Sequence, residues 1–265
     1  MILMRSGRTH TRQTSLLRGK MKLILITKDI HEITLATRNG IRTIMVDLER
    51  RSKISRQNGK SLFISDHTPE DLINIRKVFP DIEIITRINS LYHGTAKEVD
   101  SVVHAGTDAI MVPYFQTADE LYEMRSIIGD RAEFVPLFET IHSIESFESC
   151  HRQIGFHSCH FGLNDLALEQ GWNSIFDAFH WSPFEEAVGA ARGLGLSFGI
   201  AGVGNQLDSS LPVDPRDFFK RQVSLGCRNF WLSRSFRSIL HGCDAEINLQ
   251  ENLAILNQLF AQYEC

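Results

Sequence analysis

From residue 22 onward the chain repeats one unit: a short apolar run, then a longer stretch whose apolar residues fall on one helical face. The runs cover residues 22–27, 42–48, 82–88, 109–112, 134–138, 158–161, 197–201 and 229–232. Most are too continuously apolar for a half-exposed strand and too short for a helix, which is the pattern of strands buried in a parallel sheet. The stretches between them carry helix signals. Asp29 opens one that Gly40 closes, and Thr68, Pro69 and Asp71 stand at N-cap, N1 and N3 of the next. Thr95 with Glu98, and Thr117 with Glu120, have the spacing of capping boxes. Val99, Val102 and Val103 line one helix, Leu121, Met124, Ile127 and Ile128 the next, and Ile141, Ile144 and Phe147 the one after. A helix over 183–193 precedes the seventh run, and Asp214 with Pro215 opens another before the eighth. Leu249, Leu253, Leu256 and Phe260 stripe a terminal helix over 244–263.

Eight strands alternating with helices over about 240 residues predict a (β/α)8 TIM barrel with an additional C-terminal helix. The barrel would occupy residues 21–265 as a single domain. A doubly wound open sheet is the rival. No run is followed by GxGxxG or GxxxxGK[ST], which removes the specific support for a nucleotide-binding version of it.

With 43% hydrophobic and 23% charged residues the composition is that of an ordinary globular chain, and a net charge of −4 argues against a broad nucleic-acid or anionic-membrane surface. Five cysteines, an odd number without a CxxC pair, point to reduced thiols and a cytoplasmic location. Residues 1–20 differ from the rest: Arg5, Arg8, Arg12, Arg18 and Lys20 stand there with no acid. That segment is expected to be a loose basic tail or an upstream extension, since Met21 opens the first run; a transit peptide would share its composition. No apolar run approaches the roughly 18 residues that a membrane span needs.

In a barrel the chemistry sits at the carboxyl ends of the strands. Those positions hold Glu49, Arg87, Asn89, Glu139, Asn164, Asp165, Gly202, Ser233 and Arg234. Glu139 follows directly on the fifth run and Asp165 closely on the sixth. If those strands are neighbours their ends lie roughly 5 Å apart, so the two carboxylates could share one hard cation, Mg²⁺ or Mn²⁺. Each acid could equally cap the helix after its strand, and spacing leaves both readings open. The GVGN stretch from Gly202 to Asn205 sits where barrels bind phosphate, or is a tight turn needing positive φ. His142 could line the site or be a partly exposed helix residue, and His157 and His160 read as surface or packing residues.

The ordered motifs DLERRSKISRQ, ITRIN, AGTDAIMVPYFQTADE, PLFET and FGLNDLALEQG resemble those of the HpcH/HpaI aldolase and citrate lyase beta-subunit-like family of phosphoenolpyruvate/pyruvate barrels. The resemblance runs from about residue 22 to residue 240. It implies a metal-dependent carbon-carbon lyase or aldolase acting through an enolate of pyruvate or another 2-oxo acid, with an aldehyde or acyl-thioester as the other substrate. It also implies that Glu139 and Asp165 bind the metal, that Arg87 holds the substrate carboxylate or enolate oxygen, and that Glu49 orders the metal's water. By their positions at the strand ends, Asn89, Asn164, Gly202 and Arg234 are further candidates for lining the substrate site. Family members commonly exchange a C-terminal helix, so a homo-oligomer is expected. The alternative is that the helix packs on its own barrel.

Two positions depart from the aldolase branch. Arg50 stands where that branch has a histidine serving the general base, and Leu137 where it has a glutamine. His67 is the replacement base that the sequence offers, with Lys53 and Arg56 as contacts to an anionic group. An acyl-CoA lyase or thioesterase, or a barrel that keeps the metal without turnover, are the other readings.

Overall fold

The computed structural model describes residues 20–51 and 65–264. The expected basic tail, apart from Lys20, lies outside the described residues, as do Lys53 and Arg56.

Among the described residues nine parallel strand segments form one sheet: β1 (Lys22–Ile26), β2 (Thr43–Asp47), β3 (Glu83–Arg87), β4 (Ala109–Val112), β5 (Glu133–Phe138), β6 (Ser158–Phe161), β7 (Ser197–Ile200), β8 (Gly202–Val203) and β9 (Asn229–Leu232). They pair in chain order from β1 to β7, and β1 also pairs with β9. β7 and β8 are halves of one expected strand, broken at Ala201. β7 pairs with β6 while β8 pairs with β9, and the Arg228 amide donates to the Phe198 carbonyl at 2.9 Å. The ring is thereby closed as a barrel of eight staves, the eighth of them β9. Ala201 makes the break at φ +48°, a left-handed conformation unusual for a residue with a Cβ. Positive φ therefore falls on Ala201, whereas Gly202 begins β8: the expected GVGN turn is partly strand.

Helices cover the outside: α1 (Ile30–Arg38), α2 (Pro69–Val78), α3 (Thr95–His104), α4 (Ala118–Ile128), α5 (Ile141–Glu145), α6 (Phe147–Ile154), α7 (Leu163–Gln170), α8 (Ser182–Gly193), α9 (Pro215–Ser224), α10 (Arg234–Arg237) and α11 (Ala245–Tyr263). Asp29 caps α1 and the Thr68–Asp71 box caps α2, as their spacing predicts. The box expected at Thr95 does not form. Gly94 is the N-cap, Thr95 Oγ1 accepts from the Tyr92 amide, and Glu98 is drawn instead to Asn89. At α4 half a box survives: Thr117 caps, but Glu120 accepts from the Gln116 amide. The stripe on α11 packs on its own barrel, with Leu249, Leu256 and Phe260 buried and Phe230 against Phe260. No described helix is long and apolar enough to cross a membrane.

Most of the apolar core lies between barrel and helices. Inside the barrel, alternate residues point to the axis in layers. At the amino end the layer is polar: Lys22 pairs with Glu83 at 2.7 Å, and Ser158 donates to Glu133 at 2.7 Å. Above it Ile24, Met45, Ile85, Ala109, Met111, Val135 and Leu137 form a second, smaller cluster. The carboxyl rim stands on that cluster.

Candidate active site

Asp47 ends β2 and Arg87 ends β3, in register with each other. The Arg87 guanidinium grips Asp47 with a fork, Nε to Oδ1 at 2.9 Å and Nη2 to Oδ2 at 2.7 Å, while Nη1 lies 3.4 Å from Glu49 Oε2. Such planar two-point pairing fixes the direction of the charge as well as its place. Burial alone would lower the Arg87 pKa. The carboxylates of Asp47, Glu49 and Glu139 more than offset it, so the pKa stands above the ordinary arginine value and the cation is permanent. Three acids, each 4% exposed or less, thus face one guanidinium.

Glu139 follows β5. Its Oε1 accepts the Tyr114 amide at 3.0 Å, and Tyr114 adopts φ +47° just past β4. A bulky residue in that region is strained, and strain of this kind collects at functional sites. The other side of Glu139 faces Gly162, whose amide donates to the Phe138 carbonyl. A Cβ on Gly162 would lie 2.8 Å from Glu139 Cβ and 2.9 Å from its Oε2. Gly162 is the N-cap of α7, and Asp165 stands in the first turn of that helix. The docking of Gly162 on Glu139 therefore brings Asp165 to the same sector of the rim. Neither acid is the helix cap that spacing allowed: Thr140 caps α5, and Gly162 occupies the N-cap position of α7.

The remaining expected residues divide. Asn89 accepts from the amides of Arg50 and Arg51 through Oδ1 and donates to Glu98 Oε1 through Nδ2, so its side chain is spent on tying the β2 loop to α3. His67 is buried, and its Nδ1 accepts the Asp47 amide at 3.0 Å. Burial lowers its pKa against the opposing pull of Asp47, which keeps the ring neutral with the proton on Nε2. The nitrogen that would take a proton is occupied, so His67 anchors the backbone of Asp47, and the base role expected of it does not fit this geometry. Arg50 donates through Nη2 to the His67 carbonyl. A cavity of ≈ 390 Å³ beside the rim is lined by Leu48, Arg50, His67, Asn89, Tyr92 and Glu98, among others. Asn164 and Arg234 are exposed at the carboxyl ends of β6 and β9, and Gly202 pairs with Trp231 in the sheet. Asp47 was missed in the sequence. Its signal was the spacing of two from Glu49, which sets both acids on one side of the strand end.

Among the described residues no three His, Cys, Asp or Glu side chains form a ready metal cage. A small hard cation needs less, because Mg²⁺ commonly takes one or two carboxylates and fills its shell with water and substrate oxygens. Glu139 and Asp165 fit that donor set, and the missing Cβ of Gly162 leaves Glu139 Oε2 unobstructed on that side.

No protein-family model matches the sequence, and no curated protein is similar to it in sequence. Solved structures are similar in fold. An HpcH/HpaI aldolase/citrate lyase family protein from Burkholderia cenocepacia J2315 superposes with a TM-score of 0.62 at 12% identity, covering 91% of this chain and 95% of that one. The chain has the fold of that family. The citrate synthase SbnG gives 0.60 at 14% identity over 91% and 94% of the two chains. A 3-keto-L-gulonate-6-phosphate decarboxylase from Vibrio cholerae gives 0.58 at 12% identity over 93% and 100%. Its score is close to the others, so the shared barrel alone does not name a reaction.

Proposed function

We propose that the chain is a divalent-metal-dependent carbon-carbon lyase or aldolase that works through the enolate of a short 2-oxo acid. The observation that carries this reading is the gathering of Asp47, Glu49 and Glu139 around Arg87, with Asp165 in the first turn of α7, the helix whose N-cap Gly162 packs on Glu139. Acids alone would suit a cation, and an arginine alone an anion. Their combination suits an anionic substrate held against a cation.

Glu139 and Asp165 would hold Mg²⁺ or Mn²⁺, which when bound polarises the keto group of the acid. Arg87 supplies the complementary charge. Its Nε and Nη2 are fixed by Asp47, so it is oriented before substrate arrives and pays no reorganisation as negative charge moves onto the enolate oxygen. His67 supports this from behind by holding the Asp47 amide. Glu49 is the second carboxylate at the guanidinium, and we assign it the proton movement at the rim that the histidine serves in the aldolase branch. An acyl-thioester in place of the free acid would use the same groups.

The test is exchange of the pyruvate methyl protons in D₂O, followed by NMR with Mg²⁺ or Mn²⁺ present. Metal-dependent exchange is expected in the wild type and its loss in Glu139→Gln, Asp165→Asn and Arg87→Met. Absence of exchange in a protein that demonstrably binds the metal would reject pyruvate as donor and leave the acyl-thioester or a barrel without turnover.

A further inference from the structure

Beneath the rim lies a pair of aromatic rings that the reading above does not use. His160 on β6 and Trp231 on β9 stack face to face, with ring centroids 3.8 Å apart and planes 3° from parallel. His160 is 1% exposed, and its Nε2 meets the Ala201 carbonyl at 2.9 Å. A carbonyl can only accept, so Nε2 carries the proton. Burial, aided by the charge of Arg87 against the pull of the Ala201 carbonyl, lowers the His160 pKa to about 3. The ring is a neutral donor at any physiological pH. Gly199 makes room for it: a Cβ there would stand 2.7 Å from His160 Nδ1 and 2.0 Å from the Asn229 carbonyl oxygen.

Trp231 has no comparable anchor of its own. Its indole N–H is buried without a hydrogen-bond acceptor among the described residues, so the stack on His160 sets the plane of the ring. The interior cluster consists of buried residues except at Ile26 and Trp231, which are partly exposed and pack against it. Among the described residues these two are the apolar side chains packed on that cluster that keep some exposure. The Arg87 guanidinium carbon lies 5.7 Å from the centre of the Trp231 ring, within reach of a cation–π contact.

We propose that Trp231, held flat by His160, is a specificity-determining wall that closes the barrel interior beside Arg87 and limits the bound 2-oxo acid to a short tail. The inference rests on the enolate reading of the site. An acid held at Arg87 has the indole on its inward side, in a close-packed interior that cannot absorb extra methylenes without displacing a ring. Selectivity of about tenfold or more per methylene is what such a wall enforces. His160 acts through Trp231 and is a positioning residue.

The test uses the full chain with Mn²⁺ and two readouts. Calorimetry compares oxalate, pyruvate, 2-oxobutyrate and 2-oxohexanoate on the wild type, Trp231→Val and His160→Ala. Fluorescence follows Trp231 as the sole tryptophan in a Trp172→Phe/Trp181→Phe background, which leaves the wall intact if Trp231→Val fails to fold. Expected are a change of Trp231 emission on adding oxalate, and a preference for pyruvate over 2-oxobutyrate, one methylene longer, of at least about tenfold in the wild type. Trp231→Val should lose that preference, and His160→Ala should weaken it while lowering the anisotropy of Trp231 emission. Binding of oxalate to the wild type with silent Trp231 emission, or an unchanged preference in Trp231→Val, overturns the wall. Failure of oxalate to bind the wild type at all overturns the enolate reading, and the wall with it.

Discussion

Gly162→Ala isolates the geometry of the site without touching a charge. The backbone at Gly162 has φ −91° and ψ 118°, which alanine adopts freely, so the substitution introduces no conformational strain. What it introduces is a methyl group 2.8 Å from Glu139 Cβ, 2.9 Å from Glu139 Oε2 and 3.3 Å from Leu137 Cδ1. Ordinary contacts begin at 3.4 Å, so the first of these must open by 3.4 − 2.8, or 0.6 Å. Glu139 Cβ is bonded to the main chain, which leaves the strand end or the start of α7 to move. Overpacking of this kind costs about 1–3 kcal/mol, a fall in Tm of roughly 2–10 °C for a chain of this length. Because Glu139 and Asp165 sit on the two sides of the wedge, affinity for Mn²⁺ should drop by at least about tenfold, the equivalent of ~1.4 kcal/mol. Gly189→Ala is the control: it lies exposed within α8 with nothing within 4 Å of the added carbon, and should stabilise by up to about 1 kcal/mol through helix propensity. Thermal denaturation and calorimetric titration of Mn²⁺ read both variants. A Gly162→Ala protein with wild-type Tm and wild-type Mn²⁺ affinity would refute the close approach of α7 to Glu139.

Two further substitutions probe how the barrel is held. Glu32 is 1% exposed and accepts from Arg237 through both oxygens at 3.0 and 2.8 Å, with Thr27 and His241 also on it, so it locks the start of α1 to the segment after β9. Arg237→Met should cost on the order of 3 kcal/mol in urea unfolding by stranding that carboxylate, whereas the double variant Glu32→Gln/Arg237→Met should recover part of the loss. His160 predicts a pH dependence: its folded pKa is about 3 against an ordinary histidine value of 6.5, so the unfolded state binds the extra proton and stability falls as pH drops from 6.5 toward 3. Between pH 7 and pH 5 the wild type should lose about 2 kcal/mol more than His160→Gln, and parallel curves for the two proteins would exclude a buried neutral ring.

Much of this molecule was legible in the chain because the governing interactions are local. Each apolar run became a strand, Asp29 and Thr68 capped the helices they precede, and residues placed directly after a run, such as Glu139, could only emerge at the carboxyl rim. Arg87 and Asp165 followed from the same logic together with the motifs around them. Partners across the barrel were not legible. Glu98 had the spacing of a capping residue, yet Asn89, brought alongside by the β3–α3 connection, offered a better donor. His67 looked like a free imidazole until folding set the Asp47 amide against its Nδ1. The inward residues of a strand buried on both faces leave no periodic mark, so nothing in NFWL distinguishes the ring that faces the axis from the one that faces the helices. The sequence determined the order of strands and helices and the chemical types at the rim, because propensity, capping and hydrophobic pattern act within a few residues. Closure of the ring decided which of those groups meet. Only when Ala201 breaks the seventh strand and β9 pairs with β1 do Arg87, Trp231 and His160, distant along the chain, share one interior.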